Sequence, residues 1–197
     1  MQNFPNRPQV SIIIPVYNRK HLVQRAIDSV KAQTFDYWEL VIVDDGSTDG
    51  LEDLIIPQIQ AEPQIRYMKH SNRKLSSTRN IGIHAAMGRY ITQLDSDDEF
   101  HPDHIKLRVE YMQKNPHIDF IHGGCELIGP EESHYVRDAF DPTKMIHISE
   151  CCLGPTFFGK KEAFMASGGF KIQPYSAESE FLLRIKKEFQ VQKVDFP

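Results

Sequence analysis

The sequence predicts an α/β fold, and two alternating patterns support this. Apolar runs rich in Val and Ile alternate with longer segments in which apolar residues recur every three or four positions. Runs of the first kind are typical of strands buried on both faces, and segments of the second kind are typical of amphipathic helices. Because the two kinds alternate along the chain, we expect a mainly parallel central sheet with helices on both faces, which is a three-layer α/β/α domain.

The first half of the chain holds four predicted strand and helix pairs. Strands are predicted over 10–18, 39–50 (ending in a Gly/Asp/Ser turn), 64–70 and 89–95, and helices over 19–33, 51–60, 76–88 and 101–115. Asn18 is expected to cap the first helix. Pro57 is expected to end or kink the second helix, Gly88 to stop the third, and Pro102 to occupy the first position of the fourth.

The regular alternation fades after about residue 116. Residues 119–128 and 154–159 are typical of strands and lie on either side of a polar loop, 130–148. A last helix is predicted over 177–189 and a last strand over 191–197. Since the chain stops there without a polar tail, we interpret it as a minimal core or a C-terminally truncated piece.

The composition fits a single globular domain. The chain has 197 residues, of which 40% are hydrophobic and 25% are charged, and its net charge is −4. This balance gives no electrostatic footprint for nucleic acid. No apolar run reaches the roughly 20 residues of a membrane span, so we expect no transmembrane segment, and the N-terminus lacks the pattern of a signal peptide.

The three cysteines indicate a reducing compartment. Cys125, Cys151 and Cys152 make neither a disulfide framework nor a C-x-x-C pair. We interpret the adjacent Cys151 and Cys152 as small strand or loop residues rather than as metal ligands. The sequence therefore predicts a cytoplasmic protein.

Acidic residues follow two of the predicted strands. Asp44 and Asp45 end "VIVDD", and four acids lie within 95–99 after "ITQL". Each run alone also fits an ordinary structure, an Asx turn in the first case and a solvated loop in the second. Ligands of parallel sheets bind outside the carboxyl ends of the strands, so two acidic runs at this edge favour a binding site.

The spacing Asp95-x-Asp97 is typical of a site for a hard cation. Oxygen ligands from one short loop can hold Mg²⁺ or Mn²⁺, with water and substrate phosphates as the remaining ligands. The sequence contains neither G-x-x-x-x-G-K-[ST] nor G-x-G-x-x-G. It therefore gives no support for a P-loop nucleotidase or a dinucleotide enzyme.

Four motifs in order resemble the family 2 inverting glycosyltransferases of GT-A fold. They are "VSIIIPVYNR", "QTFDYWELVIVDDGSTDG", "STRNIGI" and "LDSDDEFHPD", and the match runs over residues 9–104 and more loosely to 189. The resemblance implies a single GT-A-like domain over 1–197, with a nucleotide-binding half at 1–100 and an acceptor-side half at 101–197.

The resemblance also implies which residues bind the nucleotide-sugar donor. Tyr17 would contact the base by apolar or stacking contact, and Asp45 or its neighbour Asp44 would accept a hydrogen bond from the base. The cation of Arg79 would face the nucleotide, supported by Asn80. The implied donor-binding set is Pro15, Val16, Tyr17, Asp44, Asp45, Arg79, Asn80, Asp95 and Ser96.

A metal ligand and a catalytic base are implied in the same way. Asp97 would bind Mn²⁺ or Mg²⁺, with Asp98 in support. The family usually has Glu-Asp at the start of a late helix, whereas this chain has Ala177-Glu178. Glu178 is the expected base and Glu180 the alternative, although acids are also common at a helix N-terminus without any catalytic role.

Two further segments bear on the resemblance. Lys74 stands where the family pattern has glycine, which puts the conformation of that loop in doubt. "CCLGPTFFGKKEAF" resembles the strand and turn beneath the acceptor site, where Gly154 and Pro155 would shape the approach of the backbone.

The implied activity is transfer of a sugar from a nucleotide-diphosphate donor, UDP-linked in our interpretation, to an acceptor hydroxyl. It would proceed with inversion and metal assistance, on a glycan or lipid-linked acceptor in cell-surface glycan synthesis. The implied location is cytoplasmic or peripheral at the inner face of a membrane. Two alternatives remain, a nucleotidyltransferase and a nucleotide-sugar-binding module without activity. The first normally has a Gly-rich loop after the first strand, and "IPVYNRKH" has no glycine.

Overall fold

The structure is a computed structural model that describes residues 7–138, 141, 143–173 and 176–196. Parts of the predicted domain, loop and last strand therefore lie outside the described residues. The strands are β1 Val10–Val16, β2 Trp38–Asp44, β3 Ile65–Lys69, β4 Tyr90–Gln93, β5 Phe120–His122, β6 Tyr135–Arg137, β7 Met145–His147, β8 Phe158–Lys160 and β9 Val191–Lys193. The helices are α1 Lys20–Lys31, α2 Leu51–Ala61, α3 Lys74–Ala85, α4 His104–Lys114, α5 Lys161–Ala166 and α6 Ala177–Ile185.

Seven strands form the central sheet in the order β3-β2-β1-β4-β8-β5-β9. β1 pairs in parallel with β2 and β4, β2 with β3, and β5 with β9, whereas β8 runs antiparallel between β4 and β5. The strand order reverses between β1 and β4. Such a switch point opens a crevice between the loops that leave the two strands, and this is where α/β sheets bind their ligands.

Alternate residues of the strands pack against different helices, so the domain has three layers. Ile12 and Ile14 of β1 belong to one buried cluster with α1, α2 and α4. Ile13, which lies between them, belongs to a second cluster with α3, α5 and α6. Because both faces are covered, every residue of β1 and β2 is buried. The predicted three-layer α/β/α fold with a mainly parallel sheet is confirmed.

The predicted cap of the first helix is wrong. Asn18 has a φ of 51°, and its side-chain oxygen accepts a hydrogen bond from the Thr48 backbone N–H at 2.8 Å. The helix begins at Lys20 after Arg19, with no side-chain cap. Asn18 therefore joins the loop after β1 to the loop after β2.

Pro57 was predicted to end or kink the second helix, and it does not end it, because α2 continues through Pro57 to Ala61. Leu51 and Ile55 of this helix are buried against the sheet. This packing maintains the helix although proline lacks the N–H that one backbone hydrogen bond needs.

Gly88 and Pro102 both lie outside the helices that they were predicted to delimit. α3 ends at Ala85, and Gly88 instead allows the chain to approach β1, because a Cβ there would lie 2.6 Å from the Ser11 backbone nitrogen. α4 begins at His104, and the Pro102 carbonyl accepts a hydrogen bond from Thr34 N–H at 3.0 Å.

The second half is less regular than predicted. The strand predicted over 119–128 ends at His122, since Gly123 and Gly124 have φ of 102° and 74°. In the segment 154–159, residues 154–156 form a 3₁₀ turn and β8 starts only at Phe158. The predicted polar loop carries the antiparallel pair β6 and β7. The helix α5 was not predicted, and α6 ends at Ile185 instead of 189.

Over the described residues, the helices are all too short or too polar to span a bilayer.

Candidate active site

A cleft of about 390 Å³ lies at the carboxyl ends of β1, β2 and β4. Its walls come from the loops after these strands and from the start of α3. The lining residues are Pro15, Val16, Tyr17, Arg19, Asp45, Asn72, Lys74, Leu75, Thr78, Asp95, Ser96 and Asp97. Seven residues of the predicted site are among them, and the cleft coincides with the switch point of the sheet.

Two partly exposed apolar side chains line this cleft. Tyr17, which follows β1, is 49% exposed, and Leu75 in the first turn of α3 is 46% exposed. Pro15 and Val16 are buried at the end of β1. A flat ring can be bound between surfaces of this kind, since stacking and apolar burial both favour it.

The adjacent Asp44 and Asp45 have different surroundings. Asp44 is fully buried, and its carboxylate accepts hydrogen bonds from Ser47 N–H at 2.7 Å and from the Tyr67 hydroxyl at 2.6 Å. Burial and the hydrogen bond to Asp44 raise the pKa of Tyr67. Asp44 therefore closes the turn after β2, and it is not among the cleft-lining residues.

Asp45 lines the cleft and holds the start of α3. Its carboxylate accepts hydrogen bonds from the backbone N–H groups of Arg73 and Lys74, at 2.6 and 3.0 Å. Each carboxylate oxygen has a second lone pair, so Asp45 can still accept a hydrogen bond from a ligand.

The acidic turn after β4 presents three residues to the cleft, Asp95, Ser96 and Asp97. Arg25 of α1 supports this turn, because it donates to the Asp97 carbonyl oxygen at 2.6 Å and pairs with Glu99 at 3.0 Å. Asp98 is not among the lining residues. Desolvation by surrounding protein atoms, with the charges of Asp95 and Asp97, raises the pKa of Asp98 to about 6.

The carboxylates of this turn fit a metal cation that is bound partly by the protein and partly by a ligand, rather than one enclosed by protein. Asp97 is an exposed carboxylate in the cleft wall. Nowhere in the described ranges do three His, Cys, Asp or Glu side chains come together as a metal-binding group. Mg²⁺ and similar ions are commonly held by one or two carboxylates together with water and phosphate oxygens, which this turn could provide in part.

Arg79 of α3 joins the cleft to the start of α6 in the second half of the chain. It is 1% exposed, and its guanidinium pairs with Asp95 Oδ1 at 3.0 Å and with Glu178 Oε1 at the start of α6. Burial opposes its charge, but the two carboxylates outweigh this effect and raise the pKa of Arg79. The predicted role differs from this placement, because Arg79 is not among the cleft-lining residues.

The two candidate bases have different partners. Glu178 is 21% exposed at its side chain and pairs with Arg79. Glu180 binds Arg184 through both of its oxygens, at 3.0 and 2.7 Å, and Lys171 at 3.0 Å. The hydrogen bond from Arg184, with the one from Lys171, lowers the pKa of Glu180 to about 2.

Glycine at position 154 allows the 3₁₀ turn before β8 to approach this ion pair. A Cβ at Gly154 would lie 3.0 Å from Arg79 Nη2 and 3.4 Å from Glu178 Cγ. The turn predicted to shape backbone approach therefore packs directly against the Arg79–Glu178 pair.

Asn80 has a structural position outside the cleft lining. Its amide donates to the Phe170 carbonyl and accepts from the Phe170 N–H, both at 2.8 Å. It therefore joins α3 to the loop after α5.

Sequence reasoning missed several cleft residues. Asn72, Leu75 and Thr78 were not predicted, and neither was Arg19; Lys74 was noted without a role. All but Arg19 follow β3 or begin α3, where "SNRKLSSTRN" joins a parallel strand to the next helix. The rule that ligands bind outside the carboxyl ends of strands applies to this segment too, and could have found them.

The solved structures that resemble this one support the fold. A mannosyltransferase, PcManGT from Pyrobaculum calidifontis in complex with GDP-Man and Mn²⁺, superposes with a TM-score of 0.73 at 18% identity, covering 96% of this chain and 55% of that one. TarS 1–349 from S. aureus in complex with UDP-GlcNAc gives 0.72 at 20% identity, covering 95% and 56%.

Sequence relatives include an uncharacterized glycosyltransferase from Rickettsia felis, 41% identical over 129 residues, which cover 66% of this chain and 21% of that protein. Another, from Haemophilus influenzae, is 31% identical over 198 residues, covering 95% and 66%. A hyaluronan synthase from Pasteurella multocida is 35% identical over 126 residues, covering 64% and 13%. The chain thus spans about a fifth of the Rickettsia felis protein's length.

The fold is of the GT-A type, with the cleft at the switch point of its sheet. The family model of Glycosyl transferase family 2 matches residues 11–171. The chain belongs to that family.

Proposed function

We propose that this chain transfers a sugar from a uridine-diphosphate donor to an acceptor hydroxyl, with inversion at the anomeric carbon. The observation that carries the proposal is the pair of contacts made by Arg79. One joins it to Asp95 in the wall of the cleft, and the other to Glu178 on the acceptor-side half. One guanidinium thereby holds both Asp95, which would contact the donor, and Glu178, which would accept a proton.

The cleft supports a uracil nucleotide as the donor's carrier. Tyr17 and Leu75 offer apolar surface for the base, and Asp45 can accept its N3–H. Asp45 is preferred to Asp44 for this role because Asp45 lines the cleft and Asp44 does not. The TarS complex with UDP-GlcNAc has the same fold, which is consistent with this donor class.

Asp97 would hold Mn²⁺ or Mg²⁺, with Asp98 in support, and Asp95 and Ser96 would contact the ribose or sugar. When bound, the cation supplies positive charge that stabilises the diphosphate leaving group. Arg25 contributes by fixing the turn that carries Asp97. The exposed carboxylate and its place in the cleft wall support this assignment.

Glu178 would act as the base. Its carboxylate accepts the proton of the acceptor hydroxyl while the hydroxyl oxygen bonds to the anomeric carbon, and the bond from that carbon to the phosphate oxygen breaks with its electrons leaving on UDP. A single displacement of this kind inverts the configuration. Arg79 orients the Glu178 carboxylate through Oε1 alone, whereas Glu180 is disfavoured because Arg184 and Lys171 engage both of its oxygens.

The acceptor would reach the site from the segment between β5 and β8. β5 runs parallel to β4, and β8 runs antiparallel to both, so this segment leaves and returns at the edge of the sheet that carries the cleft. With the hyaluronan synthase among the relatives, this placement supports a glycan or lipid-linked acceptor in cell-surface glycan synthesis. We propose residues 1–100 as the donor half and 101–197 as the acceptor half of one domain, acting in the cytoplasm or at the inner face of a membrane.

Glu178→Gln and Glu180→Gln test the proposal together. Glu178→Gln should bind UDP within about twofold of wild type by calorimetry, while transfer from UDP-sugars to an acceptor panel falls by about 10²–10⁴-fold. Glu180→Gln should retain transfer. The reverse result would assign the base to Glu180, and binding of UDP-sugars by the wild type without transfer to any acceptor would favour a binding module.

Asp97→Ala tests the metal site, with Glu99→Gln as its control. Glu99 lies two residues away and pairs with Arg25 without lining the cleft. UDP binding measured with and without Mn²⁺ should lose its metal-dependent increment in Asp97→Ala and keep it in Glu99→Gln. An unchanged increment in Asp97→Ala would reject Asp97 as the metal ligand.

A further inference from the structure

Lys74 combines a left-handed backbone with a place in the wall of the cleft. Its φ is 71°, in a region that residues with a side chain rarely adopt. Asn18 and Ser176 share this property within the described part of the chain, but neither lines the cleft. Strained residues of this kind persist only where their surroundings hold them, and they concentrate at binding sites.

The backbone of Lys74 is fixed on both sides. Its N–H donates to Asp45 Oδ2 at 3.0 Å, and its carbonyl accepts a hydrogen bond from the Thr78 hydroxyl at 3.0 Å. Arg73, the preceding residue, also donates its N–H to Asp45. These contacts hold the unusual conformation at the first residue of α3 and thereby determine where the side chain starts.

The ammonium group of Lys74 has no protein partner in the described ranges, as neither a hydrogen bond nor an ion pair engages its Nζ. Acids line the same cleft, among them Asp45, whose oxygen binds the Lys74 backbone. An unpaired ammonium in a cleft is suited to bind an anionic ligand group.

We propose that Lys74 binds the diphosphate of the nucleotide donor, an inference that rests on the proposed function and specifies how its site holds the donor. The diphosphate is the strongly anionic part of such a donor. Lys74 on α3 and the acidic turn at 95–97 line the same cleft, so a diphosphate between them meets a protein cation from α3.

Lys74→Gly and Lys74→Ala separate the binding role from the backbone strain. Dissociation constants for UDP and for uridine are measured by calorimetry in EDTA, so that the protein's own contacts are read without metal, and melting temperatures are measured in parallel. Lys106→Ala is the control, because Lys106 is an exposed lysine of α4 that does not line the cleft. Repetition of the UDP titration at high salt tests whether the lost interaction is electrostatic.

Both Lys74 variants should bind UDP about 5–10-fold more weakly, because a charge-assisted contact to phosphate is lost, and should bind uridine within about twofold of wild type. Lys74→Gly should also melt at a higher temperature than wild type, since glycine adopts positive φ without strain, whereas Lys74→Ala should not. The loss of UDP affinity in Lys74→Gly would then occur in a protein that is more stable than wild type, so destabilisation would not explain it. Lys106→Ala should match the wild type in all three measurements.

Three outcomes would overturn the inference. Wild-type affinity for UDP in Lys74→Gly would reject the contact while leaving the proposed function intact, since the wild type still binds and uses its donor. Equal weakening of UDP and uridine would show that Lys74 does not address the phosphates. If the wild type binds neither compound in EDTA or with Mn²⁺, the proposed donor itself is wrong and the inference fails with it.

Discussion

The two halves of the central sheet differ in the length, burial and direction of their strands, although the strands are hydrogen-bonded into one sheet. β1 and β2 have seven residues each, and all fourteen are buried. β5, β8 and β9 have three residues each, and β8 runs against its neighbours. The first half of the chain therefore obtains its geometry from long buried strands. The described part of the second half consists mainly of turns and loops that must be held in place by other contacts.

Those other contacts converge on α3. Arg79 of this helix pairs with Glu178 of α6, and Asn80 binds both backbone polar groups of Phe170. Arg184 extends the network from α6 by donating to the Gly169 carbonyl at 2.7 Å. α3 therefore serves both halves: its start forms one wall of the cleft, and its middle positions the loops opposite.

The largest effect is expected from removing the cation that joins the two halves. Arg79→Ala removes a buried guanidinium and leaves the partly exposed carboxylates of Asp95 and Glu178 without their shared partner, so the free energy of unfolding should fall by about 2–4 kcal/mol. Arg79→Lys keeps the charge but lacks the forked guanidinium that forms both contacts. Its free energy of unfolding should therefore lie between those of wild type and Arg79→Ala. Urea denaturation measures the loss, and a value below about 1 kcal/mol for Arg79→Ala would contradict the central role of this residue.

A smaller effect is expected from Asn80→Ala. Two hydrogen bonds to Phe170 are lost, and stability should fall by about 1–3 kcal/mol. Because these bonds hold the acceptor side alone, the KM for acceptor should rise while the dissociation constant for UDP stays unchanged. Asn115→Ala is a suitable control, since its amide bonds only to the Tyr111 carbonyl within its own helix region. A change in UDP affinity would show that the two sides are less separate than the structure indicates.

The smallest effect concerns pH. The pKa of Glu180 is lowered from its ordinary 4.5 to about 2, so its ion pairs stabilise the fold above pH 4.5 and lose this effect as the pH falls towards 2. Glu180→Gln should cost about 1 kcal/mol at pH 7, because the pairs are partly exposed. Denaturation curves at pH 7, 4 and 3 should show the gap between variant and wild type narrowing. A gap that widens in acid would exclude this origin.

The same contrast explains what could be read from the sequence. The strands "VSIIIPV" and "ELVIVD" were predictable because double-sided burial requires a continuous apolar run. The acids at 44–45 and 95–97 were predictable as an edge cluster because their strands are parallel neighbours of β1. The absence of a cap at Asn18 was not predictable. Its side-chain oxygen accepts a hydrogen bond from the Thr48 backbone N–H, which is a tertiary contact thirty residues away.

The middle of the site was the least predictable part. Arg79 and Glu178 are 99 positions apart, and no periodicity relates them. Asp44 and Asp45 differ because of Tyr67, whose hydroxyl donates a hydrogen bond to the Asp44 carboxylate. Such differences follow from packing in three dimensions. A motif can therefore include both residues without showing which of them faces the cleft.

The reversed direction of β8 has a consequence for how such a domain can diversify. A parallel strand contributes to the site through the loop that leaves it, but β8 contributes through the loop that enters it, which includes Gly154. In the proposed function, the segment between His122 and Gly154 can thus be lengthened, shortened or exchanged at one edge of the sheet. A library restricted to that stretch, with Gly154 kept, should sample new acceptors on an unchanged donor site.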